Sequence, residues 1–510
     1  MENIDNQPYD ILMNMETTSI STSSSIHDEI CSVSTSSSLS KEEENIFREY
    51  IIDLDDNEYE DLQEYVFDLI QNYIDCNILF IGSPLFYGKL INEVTQFIYD
   101  DFIELFLCEY EPTYEQVYEF ISDMAELYYN IIEKNCPRQC YLSDDTTLIP
   151  FTPLHINTIN EQLEIIKNTY QPIQKTKEWY EYRHNLMTAS NIWKIFKSEK
   201  QKNSLIYEKC IPLKTSIESP SSISSILPTS IINMNKDNSD DENVDESSTK
   251  KIVTDVKQNE NNYPTTIRSL QWGIIFEPLS IQIYEHMVKT TVKDFGCIKH
   301  PLYDCIGASP DGINIDPKSS RYGRMIEVKN IVNREITNIP KEEYWIQMQI
   351  QMETCNLDEC DFIETRFKEY EDIMLFWEDG GQYEWKGVIL SLMYEMKLHY
   401  VYMPIEIHDK KKIGVWMDTT IKSYETLGHT LNKVHYWYLD EFSCVLVKRN
   451  RLWFQSAVPM ILDTWKTITY ERIHGYEHRS VKKINKICPH LMNALNEGVE
   501  NDKNIRIIKL

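Results

Sequence analysis

No run of 18 or more apolar residues occurs in this 510-residue chain, so no segment has the length of a membrane-spanning helix. The opening Met1-Glu2-Asn3-Ile4-Asp5-Asn6 lacks the basic and apolar regions of a secretory signal. The twelve cysteines show no framework spacing, which excludes a disulfide scaffold and suits a reducing compartment. Cys136-Pro-Arg-Gln-Cys140 comes nearest to a metal pattern. A lone pair cannot complete a four-ligand zinc site, and two loop thiols after a helix are the simpler reading. No internal repeat is present. The expectation is a soluble intracellular protein with no membrane partner.

Positive charge is also scarce. There are 50 Lys and Arg against 81 Asp and Glu, a net of −31, which taken whole opposes a nucleic-acid partner. The deficit is local. Residues 41–135 hold 24 acids against 4 bases, whereas 171–200 hold 6 bases against 3 acids and 451–510 hold 10 against 6. Salt screens charges beyond roughly 8–10 Å, so binding responds to the nearby field.

A hydrophobic share of 42% is ample for a core, and the length predicts two or three domains. Residues 1–40, rich in Ser and Thr, are expected to form a disordered tail. Apolar residues at helical spacing among acids, as in 65–74, 89–108 and 115–132, predict an acidic helical domain over 41–145. Its aromatic stripes read as core. A low-complexity stretch, 215–262, reads as a disordered insertion that interrupts an α/β core spanning 165–370. Residues 371–510 form a C-terminal extension packed on that core, with strands near 400–407 and 444–448 and a helix near 457–471.

The informative stretch is 303–315 with 324–330. Asp311 lies in Ser-Pro-Asp-Gly, a strong turn signal, and the flanking segments predict a hairpin over 303–315. Met325 to Lys329 predicts a third strand, on which alternation puts Glu327 and Lys329 on one face and Ile326 and Val328 on the other. Two carboxylates suit Mg²⁺, which takes one or two from protein and keeps several waters. Such a metal acidifies water and offsets phosphate charge. A lysine two residues along can hold the attacking water, or deprotonate it if burial lowers its pKa. Alone, Pro-Asp-Gly is a turn and Glu-x-Lys a common triplet; together, 16 residues apart, they point to phosphodiester hydrolysis.

Further motifs stand in order. They are Trp179, Arg183 and Thr188-Ala189-Ser190; Gly273, Phe276-Glu277-Pro278 and Tyr284; His300-Pro301; Ser309-Pro310-Asp311-Gly312; Ile326-Glu327-Val328-Lys329; and Tyr344 to Met352 with Gln347. This order resembles the YqaJ-like viral recombinase and λ-type alkaline exonuclease family, within the PD-(D/E)xK nucleases. The resemblance covers about 177–367 without the insertion, and the extra regions resemble enlarged versions from large DNA viruses. It implies an α/β restriction-endonuclease-like core, a mixed central sheet flanked by helices. It also implies Asp311, Glu327 and the Val328 carbonyl as metal ligands, Lys329 as the water-activating residue, Glu277 as a helix carboxylate near the metal and Gln347 as a supporting glutamine. Arg183 and Ser190 would bind the phosphate of a DNA end. A helix over 343–355 would put Tyr344, Gln347 and Gln351 on one face and Trp345, Met348 and Met352 on another. Local context leaves plainer readings open: a surface glutamine, an exposed Arg, an N-cap Ser, and a Glu ending a turn before Pro278. Lys194 and Lys197 would extend Arg183 into a basic strip.

The expected function is a Mg²⁺-dependent deoxyribonuclease, with Mn²⁺ able to substitute. It would act 5′→3′ on double-stranded DNA ends and feed a single-strand annealing or recombination partner, as a monomer or an oligomer, in host cytoplasm or nucleus. An endonuclease, a non-catalytic binding module with a relic core, and an acidic partner-docking domain are the alternatives.

Overall fold

The structure, a computed structural model, describes residues 56–101, 113–142, 153–213 and 265–480. The expected tail, 1–40, and insertion, 215–262, lie outside the described residues, as do the ends of the acidic region and of the C-terminal extension.

Helices α1 (Asp56–Asn77), α2 (Phe86–Asp101) and α3 (Tyr114–Ile132) occupy the acidic region. Their apolar residues recur at helical spacing, and Val66, Ile70 and Ile74 of α1 are fully buried. Helix α3 opens on a capping box, with the Gln116 N–H donating to Thr113 Oγ1 at 3.3 Å and the Thr113 N–H to Gln116 Oε1 at 2.9 Å. These helices do not close on themselves. They share one hydrophobic cluster with Trp345 of α9 (Glu342–Cys355) and with Trp453 and Ile461 of α12 (Arg451–His474). The α1–α2 loop touches Trp345 so closely that a Cβ at Gly82 would meet the ring at 2.4 Å. The indole N–H donates to the Gln139 carbonyl at 3.0 Å.

The core follows the order helix, five strands, helix, strand, and six of these elements build the site. These are α8 (Thr265–Val288), β5 (Ile306–Ala308), β6 (Gly312–Asn314), β7 (Met325–Asn330), α9 and β8 (Glu359–Glu369). The main sheet is mixed, ordered β10-β9-β11-β8-β7-β6-β3, with β1 (Tyr141–Leu142) on β11; β3 is Val292–Lys293, β9 Lys386–Tyr394, β10 Lys397–Tyr402 and β11 Thr430–Lys448. Strand β7 runs parallel to β8, with Glu327 beside Phe362 and Lys329 beside Glu364. Both strands are buried on both faces along most of their length, as expected of a sheet centre. This is the mixed central sheet flanked by helices that was expected.

Two local expectations change, and one plainer alternative falls away. The 303–315 segment is not a hairpin: β5 joins a separate three-stranded sheet with β2 (Met187–Thr188) and β4 (Ile298–Lys299), while β6 pairs with β7 and β3. Ser309-Pro310-Asp311 carries the chain between sheets. The strand expected at 444–448 is the end of the 19-residue β11, which lacks any Gly or Pro to break it. Its first half pairs with β9 and its second with β8. Helix α8 also runs through Pro278, so Glu277 sits within a helix rather than at its end. Among the described residues no helix is long and apolar enough to cross a membrane.

Candidate active site

Strand β7 presents its side chains as alternation requires. Ile326 and Val328 pack with Tyr284 and Ile363 on one side. On the other, the Lys329 ammonium contacts Glu327 Oε1. Asp311 arrives from the crossover before β6, where it accepts the Val328 backbone N–H on Oδ2 at 2.8 Å. The next residue must be glycine, because a Cβ at Gly312 would meet Val292 Cγ1 at 2.2 Å. Asp311, Glu327 and Lys329 therefore converge.

Helix α9 holds Glu327 in place. Gln347 Nε2 donates to Glu327 Oε1 at 2.8 Å and Gln351 Nε2 to Oε2 at 2.7 Å. Gln351 also donates to the Ser309 carbonyl at 3.2 Å, tying the Asp311 crossover to the same point. Tyr344, on the same helix face, lies under the Lys329 ammonium with its ring centroid 5.1 Å away. Trp345, Met348 and Met352 are buried on the other side. The two helix faces are those expected. Gln351 was noticed only as a member of the face; its spacing of four from Gln347 was the signal for a second amide on the same carboxylate.

Glu327 is wholly buried, while Asp311 and Lys329 are half-buried. Burial, and then the Glu327 charge, push Asp311 well above the usual carboxylate range, against the pull of Lys329. At Lys329, burial pulls the amine down, but Glu327 and Asp311 outweigh it and the net direction is up. The lowering that burial alone would give is thus offset by the two carboxylates in the metal-free protein. Glu277 is exposed as a residue. Even so, desolvation of its carboxyl and the Glu327 charge raise its pKa, with Lys329 opposing, which places it in the same electrostatic cluster.

Arg183 ends α5 (Lys177–His184), its guanidinium over the Trp179 ring at 4.6 Å and 3.5 Å from Ser309 Oγ. It therefore stands one residue from Pro310-Asp311. Ser190 is exposed at the start of α6 (Ala189–Ile192), its Oγ 3.4 Å from Thr188 Oγ1. The basic strip beyond them does not form. Lys194 is buried and paired with Glu208 at 3.1 Å, and Lys197 is bound to Glu342 at 2.5 Å. Neither acid was visible as a partner in the local sequence.

The oxygen donors fit a hard divalent cation. Asp311 and Glu327 bring two carboxylates whose negative charges oppose one another, and the Val328 backbone N–H, one residue past Glu327, donates to Asp311. Gln351 Oε1 is buried beside them with no hydrogen-bond partner. Among the described residues no three His, Cys, Asp or Glu side chains form a cage of their own. Mg²⁺ needs none, because it retains waters and takes one or two protein carboxylates.

Comparison with known proteins bears out the likeness carried by the motifs. Residues 178–358 match the YqaJ-like viral recombinase domain, a span from Trp179 and Arg183 through α9. Protein R354 of Acanthamoeba polyphaga mimivirus, itself uncharacterized, is 23% identical over 360 residues, 62% of this chain; the chain spans 56% of that relative. Two solved structures of an alkaline exonuclease, LHK-Exo from Laribacter hongkongensis, are also similar. One is 15% identical and covers 63% of this chain and 99% of its own. The other, in complex with dAMP, is 16% identical and covers 59% and 95%; both have a TM-score of 0.30.

Proposed function

We propose that this chain, YqaJ-like over the span that holds the site, is a Mg²⁺-dependent deoxyribonuclease that begins at double-stranded DNA ends and degrades 5′→3′. The observation that carries the reading is the convergence of Asp311, Glu327 and Lys329, with Glu327 fixed by two amides from α9. Mg²⁺, or Mn²⁺ in its place, held by Asp311, Glu327 and the Val328 carbonyl, would acidify a water and offset phosphate charge.

The protein's own groups supply the rest. Gln347 and Gln351 hold Glu327 in one orientation, so its oxygens need not reorganise during the reaction. The Lys329 ammonium, steadied over Tyr344, can donate to the attacking water or to a phosphate oxygen. The guanidinium of Arg183 can bind a terminal phosphate through two parallel hydrogen bonds, and the exposed Ser190 hydroxyl can add a third. Glu277 would adjust the charge of the cluster from α8. In a viral setting the products would pass to a single-strand annealing protein in host cytoplasm or nucleus.

The test is digestion of end-labelled linear duplex and covalently closed circles, with and without Mg²⁺. The reading expects linear DNA to be degraded only with the metal, circles to survive, and 5′-phosphorylated ends to be preferred. Circles cut as fast as linear DNA would replace it with an endonuclease.

A further inference from the structure

The C-terminal carbonyls of α5 lack intrahelical partners, as at every helix end, and this end bears Arg183. The Asn185 and Leu186 N–H groups take up those of Glu181, Tyr182 and Arg183. Two cations from distant parts of the chain reach the last two, Arg183 and His184. Arg472, in the last turn of α12, donates from one NH2 to the His184 carbonyl at 2.7 Å and from the other to Asn185 Oδ1 at 3.2 Å. Its Nε donates to the Lys209 carbonyl at 2.9 Å. Lys209, buried on α7 (Glu199–Cys210), donates its own ammonium to the Arg183 carbonyl at 2.9 Å. Arg472 thus ties three segments together: α12, α7 and the end of α5.

We infer that Arg472 is a positioning residue for Arg183, through which the C-terminal region sets the recognition of DNA ends. The inference rests on the proposed role of Arg183 as the phosphate-binding arginine. Arg472 is remote from Asp311 and Glu327 in its contacts; what it fixes is the backbone on which Arg183 stands. A planar guanidinium fits the task because its fork reaches a carbonyl, an amide oxygen and a second carbonyl at once, which an ammonium cannot. Positive charge at a helix C-terminus is also favoured by the helix dipole. Arg183 is then held at both ends, by Lys209 at its own carbonyl and Arg472 at the next one, and by Trp179 and Ser309 at the guanidinium.

The experiment uses the full chain and measures KM and kcat on linear duplex with 5′-phosphate or 5′-hydroxyl ends. The proteins compared are wild type, Arg183→Ala, Arg472→Ala and the double variant. Losing the hydrogen bonds at Arg472 should raise KM for phosphorylated ends by about tenfold. The kcat and the KM for hydroxyl ends should hold, which a general loss of fold would not allow. The double variant should match Arg183→Ala, because the two residues act in series. Lys209→Met, which removes the donor to the neighbouring Arg183 carbonyl, should reproduce the KM effect and serves if Arg472→Ala does not fold. If Arg183→Ala loses the phosphate preference while Arg472→Ala and Lys209→Met keep it, the inference is overturned and the role of Arg183 stands. If Arg183→Ala itself keeps the preference, both fall.

Discussion

His300 makes the fold sensitive to acid in a way that can be measured. It lies in the turn from β4 to β5, the strand that leads to Asp311, and only 4% of its surface is exposed. Its Nδ1 accepts the Leu302 and Tyr303 backbone N–H groups at 3.0 and 3.1 Å, and Phe454 stacks on the ring. Burial first, then the Arg449 charge, lower its pKa to about 4. A proton on Nδ1 would remove the acceptor both amides use. The unfolded chain, with a His pKa near ~6.5, binds that proton first, so the stabilisation is complete above about pH 6.5 and is lost as pH falls towards 4. At ~1.36 kcal/mol per pH unit the interval amounts to ~3 kcal/mol, or ~2 kcal/mol after allowing for solvent screening. Urea unfolding of wild type and His300→Asn between pH 7.5 and 4.5 would measure it. Asn keeps an acceptor near the same place and does not titrate. Wild type should lose ~2 kcal/mol more than the variant over that range. Parallel stability curves would refute the assignment.

Three further perturbations bear on the site and its support. Gln351→Leu strips a buried carboxylate oxygen of its donor and should cost ~1–3 kcal/mol along with turnover; unchanged melting and unchanged kcat would contradict the contact. Lys329→Met should lower kcat by about 10²–10³-fold, the cost of one preorganised donor, while metal binding, read by calorimetry, persists; a loss of only about twofold would make the lysine structural. Removing residues 1–140 uncovers Trp345 and opens the cluster that α1–α3 share with α9 and α12, so the remaining chain should aggregate or melt well below the full protein. A soluble truncation with unchanged melting would show that the acidic helices are an independent unit.

The convergence of Asp311, Glu327 and Lys329 was legible because its signals are local. A Pro-Asp-Gly turn and strand alternation needed no knowledge of distant partners, and neither did the i, i+3, i+4 face of α9. The hairpin was misread because the pairing of β5 is decided by β2, more than a hundred residues upstream. The basic strip was misread for the same reason, since Glu208 and Glu342 reach Lys194 and Lys197 only through the fold. Lys329 shows the limit of arguing from burial alone. The same burial brings two carboxylates to the ammonium, and their charge exceeds the desolvation that would have lowered its pKa. The acidic helices read as a separate unit because their periodicity is internally complete. Only contacts such as Gly82 on Trp345 reveal that their apolar faces are shared.

The most direct test of the central claim is the release of nucleotides from linear duplex at saturating Mg²⁺ by wild type, Asp311→Ala and Glu327→Ala, with melting curves of all three. Wild type should digest DNA only when the metal is present. Both variants should be inactive, and Asp311→Ala should melt no lower than wild type, because it removes a carboxyl that burial, and then the Glu327 charge, disfavour. Near wild-type digestion by either folded variant would contradict the account.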